Sequence, residues 1–306
     1  MPEWLYEAGI GENRAVLVDD ERIVEAAIEL EGLRVGHVAR ARLIDAARVR
    51  LDSGEEVQLV GSPGVTQGGA LTVRITREAI PEPGRAKPPR AVATDERPTS
   101  GPDLLARITA TGLPVRRPAA HEPDRLEVAG WSELLEEADG EIAFPDGALR
   151  MTPTPAMTLF DVDGPAPLEP LAIRAAEAVA RAIRRHDIGG SIGVDFPTLP
   201  GKAPRQAVAA ALDAHLPPPF ERTVVNGFGF LQIVRPRLRA SLPELLRADP
   251  VGAATRALLR RLEREPPGAP RHHRLSAAVH ARLHACSDWL AELARRTGVT
   301  HQFESA

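Results

Sequence analysis

The chain has one cysteine, Cys286, among 306 residues. That excludes an internal disulfide and any zinc site built from several cysteines of one chain. Aromatic residues are scarce, at 4 %, and none lies between Leu33 and Arg116. A nucleic-acid surface in that stretch lacks the rings on which bases stack, so it would bind weakly or by charge alone. No apolar run approaches the roughly 18 residues of a membrane helix, and Met1-Pro2-Glu3 lacks the basic and apolar parts of a signal peptide. The sequence therefore reads as cytoplasmic, with no membrane partner. The formal net charge of −4 carries no global basic signature, so any nucleic-acid contact has to be a local patch. What the chain does have is core: 43 % apolar residues, enough for about two or three compact units.

The stretch from Met157 to Phe196 organises the rest. Met157-Thr158-Leu159-Phe160-Asp161-Val162-Asp163-Gly164 and Ile188-Gly189-Gly190-Ser191-Ile192-Gly193-Val194-Asp195-Phe196 are short apolar runs that end in acid. Between them Leu171, Ala175, Ala176, Val179, Ala180 and Ile183 recur at helical spacing, with Arg174, Glu177, Arg181, Arg184 and Arg185 on the other face. This pattern predicts a β-α-β unit with parallel strands, which delivers Asp161 and Asp195 to one carboxyl edge of a sheet. Asp163 is a third acid within reach, and the three are expected to meet in space. Crowded carboxylates make sense around a hard divalent cation, magnesium or alternatively manganese, and such a site suggests phosphate chemistry.

Upstream, Trp4 to Glu31 reads as a three-stranded meander. Several short runs from Val35 to about Arg90 predict a small closed barrel on which Arg40, Arg42, Arg48, Arg50, Arg74 and Arg77 alternate with apolar residues. Pro81 to Pro102 reads as an exposed linker. Helices are expected at Asp103 to Thr111 and Gly130 to Ala138, followed by a hairpin with arms Ile142-Ala143-Phe144 and Ala148-Leu149-Arg150-Met151. Downstream, a helix runs from Pro200 through Ala214, a strand from Arg222 to Val225, a basic amphipathic helix from Ala253 to Glu265 and a further helix from Ala277 to Thr297. Phe228 and Phe230 read as core positions, with base stacking the competing use of a glycine-flanked ring. His280 and His284 share a helical face, but no third ligand stands at a usual spacing, and no structural zinc is expected.

Two families resemble parts of this pattern. Phe160-Asp161-Val162-Asp163-Gly164 is similar to the first motif of haloacid-dehalogenase-type phosphatases, which would make Asp161 a nucleophile; Pro165 departs from that motif, and no later acidic motif completes it. The broader match is the ribonuclease E/G family. Glu7-Ala8-Gly9-Ile10-Gly11-Glu12-Asn13-Arg14-Ala15-Val16-Leu17-Val18 resembles its opening strands, and the stretch from Val35-Gly36-His37-Val38 to Thr72-Val73-Arg74-Ile75-Thr76-Arg77-Glu78 resembles its inserted OB-type domain. The most specific matches are Arg184-Arg185-His186-Asp187-Ile188-Gly189-Gly190-Ser191-Ile192-Gly193-Val194-Asp195-Phe196 and Gly227-Phe228-Gly229-Phe230-Leu231-Gln232-Ile233-Val234-Arg235-Pro236-Arg237-Leu238.

The resemblance implies an α/β (α+β) multidomain chain: an RNase H-like part over residues 1–32 and 91–150, an OB-type, ribosomal S1-like barrel over 33–90, a deoxyribonuclease-like catalytic α/β domain over 151–250 and a helical or α/β extension over 251–306. It implies a magnesium-dependent endonuclease acting on single-stranded RNA, in RNA processing or decay. Asp161 and Asp195 match the family's metal-binding aspartates, and Asp163 stands where the family usually has Asn, as a third catalytic candidate. Lys202, Arg205, Arg222, Arg235 and Arg237 are candidates to hold the RNA backbone, with Phe228 to stack a base. The chain leaves no room for the family's 5′-sensor domain and lacks its two-cysteine zinc link. A homodimer stays open, but not a zinc-linked one. The alternative of another class is a non-catalytic RNA-binding relative of the same fold.

Overall fold

Alternating burial and tight turns shape the first sheet. In this computed structural model, which describes residues 1–82, 86–119, 122–266 and 268–306, β1 (Glu3–Ala8), β2 (Asn13–Asp19) and β3 (Arg22–Glu29) form the expected antiparallel meander. Asp20 and Glu21 both take positive φ, the backbone of a two-residue hairpin turn that matches strand twist.

The barrel follows as β4 (Val38–Asp45), β5 (Arg48–Leu51), β6 (Glu56–Leu59), β7 (Ala70–Arg77) and β8 (Arg90–Ala93), closed in the order β4-β5-β6-β8-β7. Its core is aliphatic, with Val49, Val57, Val73 and Ile75 buried. β8 corrects the linker expectation. Its Ala91 is buried among those residues, and β8 closes the barrel by pairing with β6 and β7. Of the expected linker, residues 83–85 lie outside the described residues.

Next come α1 (Leu104–Thr109), β9 (Val115–Arg116), α2 (Arg125–Val128) and α3 (Trp131–Asp139). β9 runs parallel to β1 and completes a sheet ordered β3-β2-β1-β9. Both faces of this sheet are buried: Trp4, Tyr6, Ala15 and Leu17 pack with Leu104 and Ile108 of α1, whereas Leu5, Val16, Ile23 and Ala26 pack with Leu126, Trp131 and Leu134.

The largest sheet contains β10 (Glu141–Phe144), β11 (Gly147–Pro153), β12 (Thr158–Asp163), β13 (Gly190–Asp195), β14 (Glu221–Arg222) and β15 (Phe230–Arg235), ordered β10-β11-β12-β13-β15-β14. The hairpin β10–β11 belongs to it, so this sheet draws strands from both sides of residue 150. Two helices, α4 (Leu168–Arg185) and α5 (Lys202–His215), cover one face. Against them alternate positions along the strands are buried: Leu149 and Met151, Phe160 and Val162, Ile192 and Val194, Leu231 and Ile233. α4 also packs on β3, where Arg184 pairs with Glu25 at 2.7 Å. Burial on both sides explains its many alanines, which let neighbours approach closely.

The C-terminal part holds α6 (Leu242–Ala248), α7 (Pro250–Glu263), β16 (His272–Leu275), α8 (Ala277–Ala285), α9 (Ser287–Thr297) and β17 (Gln302–Ser305). The single helix expected from Ala277 to Thr297 is two, because Cys286 leaves helical backbone at φ −113° and ψ 62°. The basic face of α7 is not a free surface. Arg256 and Arg260 bind Glu12, and Arg264, at the helix end, binds Glu7, which also pairs with buried Arg14 at 3.1 Å. Among the described residues no helix is long and apolar enough to cross a membrane.

Candidate active site

Strand pairing builds the site. β12 and β13 are parallel neighbours with Asp161 opposite Asp195. β11 sets Arg150 opposite Asp161, and β15 sets Phe230 opposite Asp195. Directly opposed residues share a sheet face, so Arg150, Asp161, Asp195 and Phe230 form a row across four strands. The row lies on the face that the helices leave open: Arg150, Asp161 and Asp195 are exposed, while Phe160, Val162 and Val194 between them are buried. Adjacent strands stand about 4.7–4.9 Å apart, so two carboxylates in register repel unless a cation joins them.

Asp163 lies on the same face, two residues along β12, with its carboxylate 3.6 Å from the Arg150 guanidinium. The expectation that all three acids meet is corrected. Among the described residues the sole trio of potential ligands with donor atoms within 4.8 Å of one another lies elsewhere. The strand geometry instead gives a pair, Asp161 and Asp195, with Asp163 to one side beside Arg150. The donor chemistry of the pair fits magnesium or manganese, which take hard carboxylate oxygens and keep several waters.

The chain after Asp195 shapes the adjoining edge. Asn226 Oδ1 accepts hydrogen bonds from the backbone N–H groups of Phe228, at 2.8 Å, and Phe230, at 3.1 Å. Gly229 has φ of +98°, and a Cβ there would lie 2.1 Å from the Phe196 carbonyl oxygen, so this loop requires glycine to lean on the residue after Asp195. Phe228 is left 85 % exposed. Phe230 is half-buried and stands with Leu159 and Met157 over Gly193, where a Cβ would meet Leu159 and Phe230 at 2.8 Å. The core positions expected for both phenylalanines are corrected: the helix-covered side of β15 carries Leu231 and Ile233, and Phe230 falls on the other side.

Lys202, Arg205 and Arg222 come together around a cleft of about 440 Å³ between α5 and β14. Arg205 donates to the Gly201 carbonyl at 2.8 Å, and Lys202 is exposed at the start of α5. Arg222 is already engaged: its Nε donates to Asp213 at 2.6 Å and its Nη2 binds the other carboxylate oxygen. That hydrogen bonding holds the Asp213 carboxyl below its ordinary range and raises the Arg222 guanidinium. Arg235 and Arg237 are not brought to the acids. Arg235 pairs with Gly190 at the start of β13, roughly 17 Å along the strand from Asp195, and burial lowers its pKa. Arg237 is bound to Glu244 and lies 3.7 Å from Glu82.

On the barrel, Arg48, Arg50 and Arg74 pair with Asp45, Glu56 and Glu96 at 2.6 to 3.4 Å. Arg77 donates to the Pro88 carbonyl at 2.6 Å. Exposed Arg40 and Arg42 have no carboxylate partner among the described residues. Sequence reasoning missed Arg150, Asn226 and Gln232 as site residues. Gln232 sits opposite Gly193 on the open face. The period-two alternation of the strands flanking the acids carried that signal for Arg150 and Gln232, whereas Asn226 lies in the loop before β15. No protein-family model matches this chain, and no curated protein matches it.

Proposed function

We propose that this protein is a magnesium-dependent endoribonuclease that cleaves single-stranded RNA, with an RNase H-like part interrupted by an OB-type barrel and followed by a deoxyribonuclease-like catalytic unit. The observation that carries the reading is the pairing of Asp161 with Asp195 on an open sheet face, flanked by Arg150 and Phe230. An open face suits a long flexible polymer. Hard carboxylates beside an arginine suit a phosphodiester.

Asp161 and Asp195 would hold the magnesium ion, which when bound lowers the pKa of water and stabilises charge on phosphate oxygens. Arg150 donates charge-assisted hydrogen bonds to the phosphate and is oriented by Asp163. Phe228 and Phe230 stack bases next to the scissile bond. Lys202 and Arg205 attract the backbone beyond it. Attack of water at phosphorus breaks the P–O3′ bond and leaves a 5′-phosphate and a 3′-hydroxyl, with the proton of the water passing to solvent or a nearby carboxylate and the departing 3′-oxygen taking a proton from a water molecule.

One observation favours the non-catalytic RNA-binding reading: the three acids do not converge to a common cage. The two readings separate in one experiment. Purified protein is mixed with an end-labelled, A/U-rich single-stranded RNA in magnesium, in EDTA, and beside the Asp161→Ala/Asp195→Ala double variant. Internal cuts that need magnesium and vanish in the variant support the nuclease. Bound but intact RNA under varied metals supports the binding protein.

A further inference from the structure

We propose that Glu265, His273 and His301 form a divalent transition-metal site with zinc as the preferred occupant. One potential ligand atom from each lies within 4.8 Å of the others. The three come from separate segments: Glu265 follows the end of α7, His273 stands in β16 and His301 immediately precedes β17. Parallel pairing sets His273 opposite Phe303. Side chains two apart on a strand share a face, so His301 stands diagonally across from His273. His273 Nε2 is 2.9 Å from His301 Nδ1, and both rings lie beside Phe303, with centroids at 5.6 and 6.3 Å.

The carboxylate is the telling group. Glu265 Oε2 is buried and has no hydrogen-bond partner among the described residues, a costly state for a carboxylate oxygen that meets neither a donor nor a cation. Two neutral imidazoles joined by one N–H···N bond satisfy each other and leave that oxygen unmet. A divalent cation takes a lone pair from all three. Zinc binds imidazole nitrogen and carboxylate oxygen at about 2.0–2.2 Å, so its tetrahedral ligands stand roughly 3.3–3.5 Å apart. The two nitrogens are already close to that spacing, and the carboxylate oxygen, within 4.8 Å of both, needs a shift of about 1.5 Å at most, within reach of a side-chain rotation.

Two imidazoles and one carboxylate are borderline donors that favour zinc, nickel or cobalt over magnesium. They leave a fourth position for water. A cleft of about 770 Å³ bordered by Glu265, Arg271, Arg296 and His301 gives that position an entry. The bound ion would clamp β16 and β17 to the end of α7, and a two-stranded pair is too small to be stable alone. The sequence directed attention to the other histidine pair. His280 and His284 do approach, with 3.2 Å between Nε2 atoms, but His280 is only half-buried, His284 is exposed and no third ligand joins them among the described residues.

The test uses the full chain, stripped with EDTA, dialysed and titrated with zinc against a chromophoric chelator; cobalt(II) uptake is followed by visible absorption. The expected result is one zinc per chain, a four-coordinate cobalt spectrum and a zinc-dependent rise in Tm. His301→Gln abolishes uptake. Glu265→Gln, nearly isosteric, weakens it by more than the about 10–100-fold typical of groups that only orient a ligand, and it carries the test if His301→Gln does not fold. His280→Gln/His284→Gln leaves uptake intact. The proposal is overturned if the unsubstituted protein takes up no zinc, if uptake is undiminished in both single variants, or if it is lost in the His280/His284 variant. None of these substitutions touches Asp161 or Asp195, so their outcome is independent of the nuclease reading.

Discussion

Asp161 and Asp195 are register partners on adjacent parallel strands, both exposed on the open face of the sheet. Asp161→Asn or Asp195→Asn is therefore expected to separate activity from stability. Losing one ligand of a catalytic metal forfeits several kcal/mol of transition-state stabilisation, about 10²–10⁴-fold in rate. Melting should stay within about 0.5 kcal/mol of the unsubstituted protein, as for other surface changes. Single-turnover cleavage and thermal melts of the same samples check both halves, and an unchanged rate removes the residue from the mechanism.

Phe228 projects from a loop pinned by Asn226 beside the acids, and little packs against it. Phe228→Ala should weaken single-stranded RNA binding by about 1–3 kcal/mol, the worth of one stacked base, with stability unaffected. Arg235→Ala, at the end of β15 opposite Gly190, should leave that affinity unchanged. Fluorescence anisotropy in EDTA, where the RNA stays whole, compares the two variants. Equal losses would contradict this assignment of the binding edge.

The pairing of Glu12 with Arg256 and Arg260 is buried, with Glu12 6 % and Arg256 4 % exposed. Glu12→Gln removes the carboxylate that binds both arginines, and breaking a buried pair from one side costs about 3–5 kcal/mol. Urea unfolding should show a lower midpoint with an unchanged slope. A shift below 1 kcal/mol would mean that water relieves these guanidinium groups.

His186, at the end of α4, is completely buried, with Nε2 3.4 Å from Glu137. Burial pushes its pKa below the ordinary 6.5, against the opposing pull of Glu137. Between the folded and unfolded values the unfolded chain binds the extra proton, so stability falls as pH drops through that window and is complete above it. Tm in EDTA should decline as pH is lowered below about 6.5. His301 is shifted in the same direction, first by burial and then by His273, so His186→Leu should reduce this slope without abolishing it.

The β-α-β unit was legible because two periodicities meet there: apolar residues at helical spacing in α4, and short apolar strands that end in acid. The meander and barrel were legible from turns and alternation. The rest depends on partners distant in sequence. β8 hides in a proline-rich stretch and is a strand only because β6 and β7 supply its hydrogen bonds. Phe230 looked like core because nothing local says which side of β15 a helix will cover. Arg256, Arg260 and Arg264 looked like a solvated stripe, and the acids that claim them belong to the first hairpin. His301 lies outside any periodic segment and meets His273 only through a parallel pairing that no turn announces.

The bond between Glu12 and Arg256 joins residues 244 positions apart, and so it orders events during synthesis. At roughly 5–20 residues per second the hairpin that carries Glu7 and Glu12 waits on the order of tens of seconds for α7 to leave the ribosome. Until then Glu12 lacks the two arginines that bind it in the folded chain, and Glu7 has Arg14 of its own hairpin but not Arg264. The end of the chain thus completes its beginning: a nascent or truncated product that stops before α7 leaves the Glu12 carboxylate without the arginines that accompany its burial.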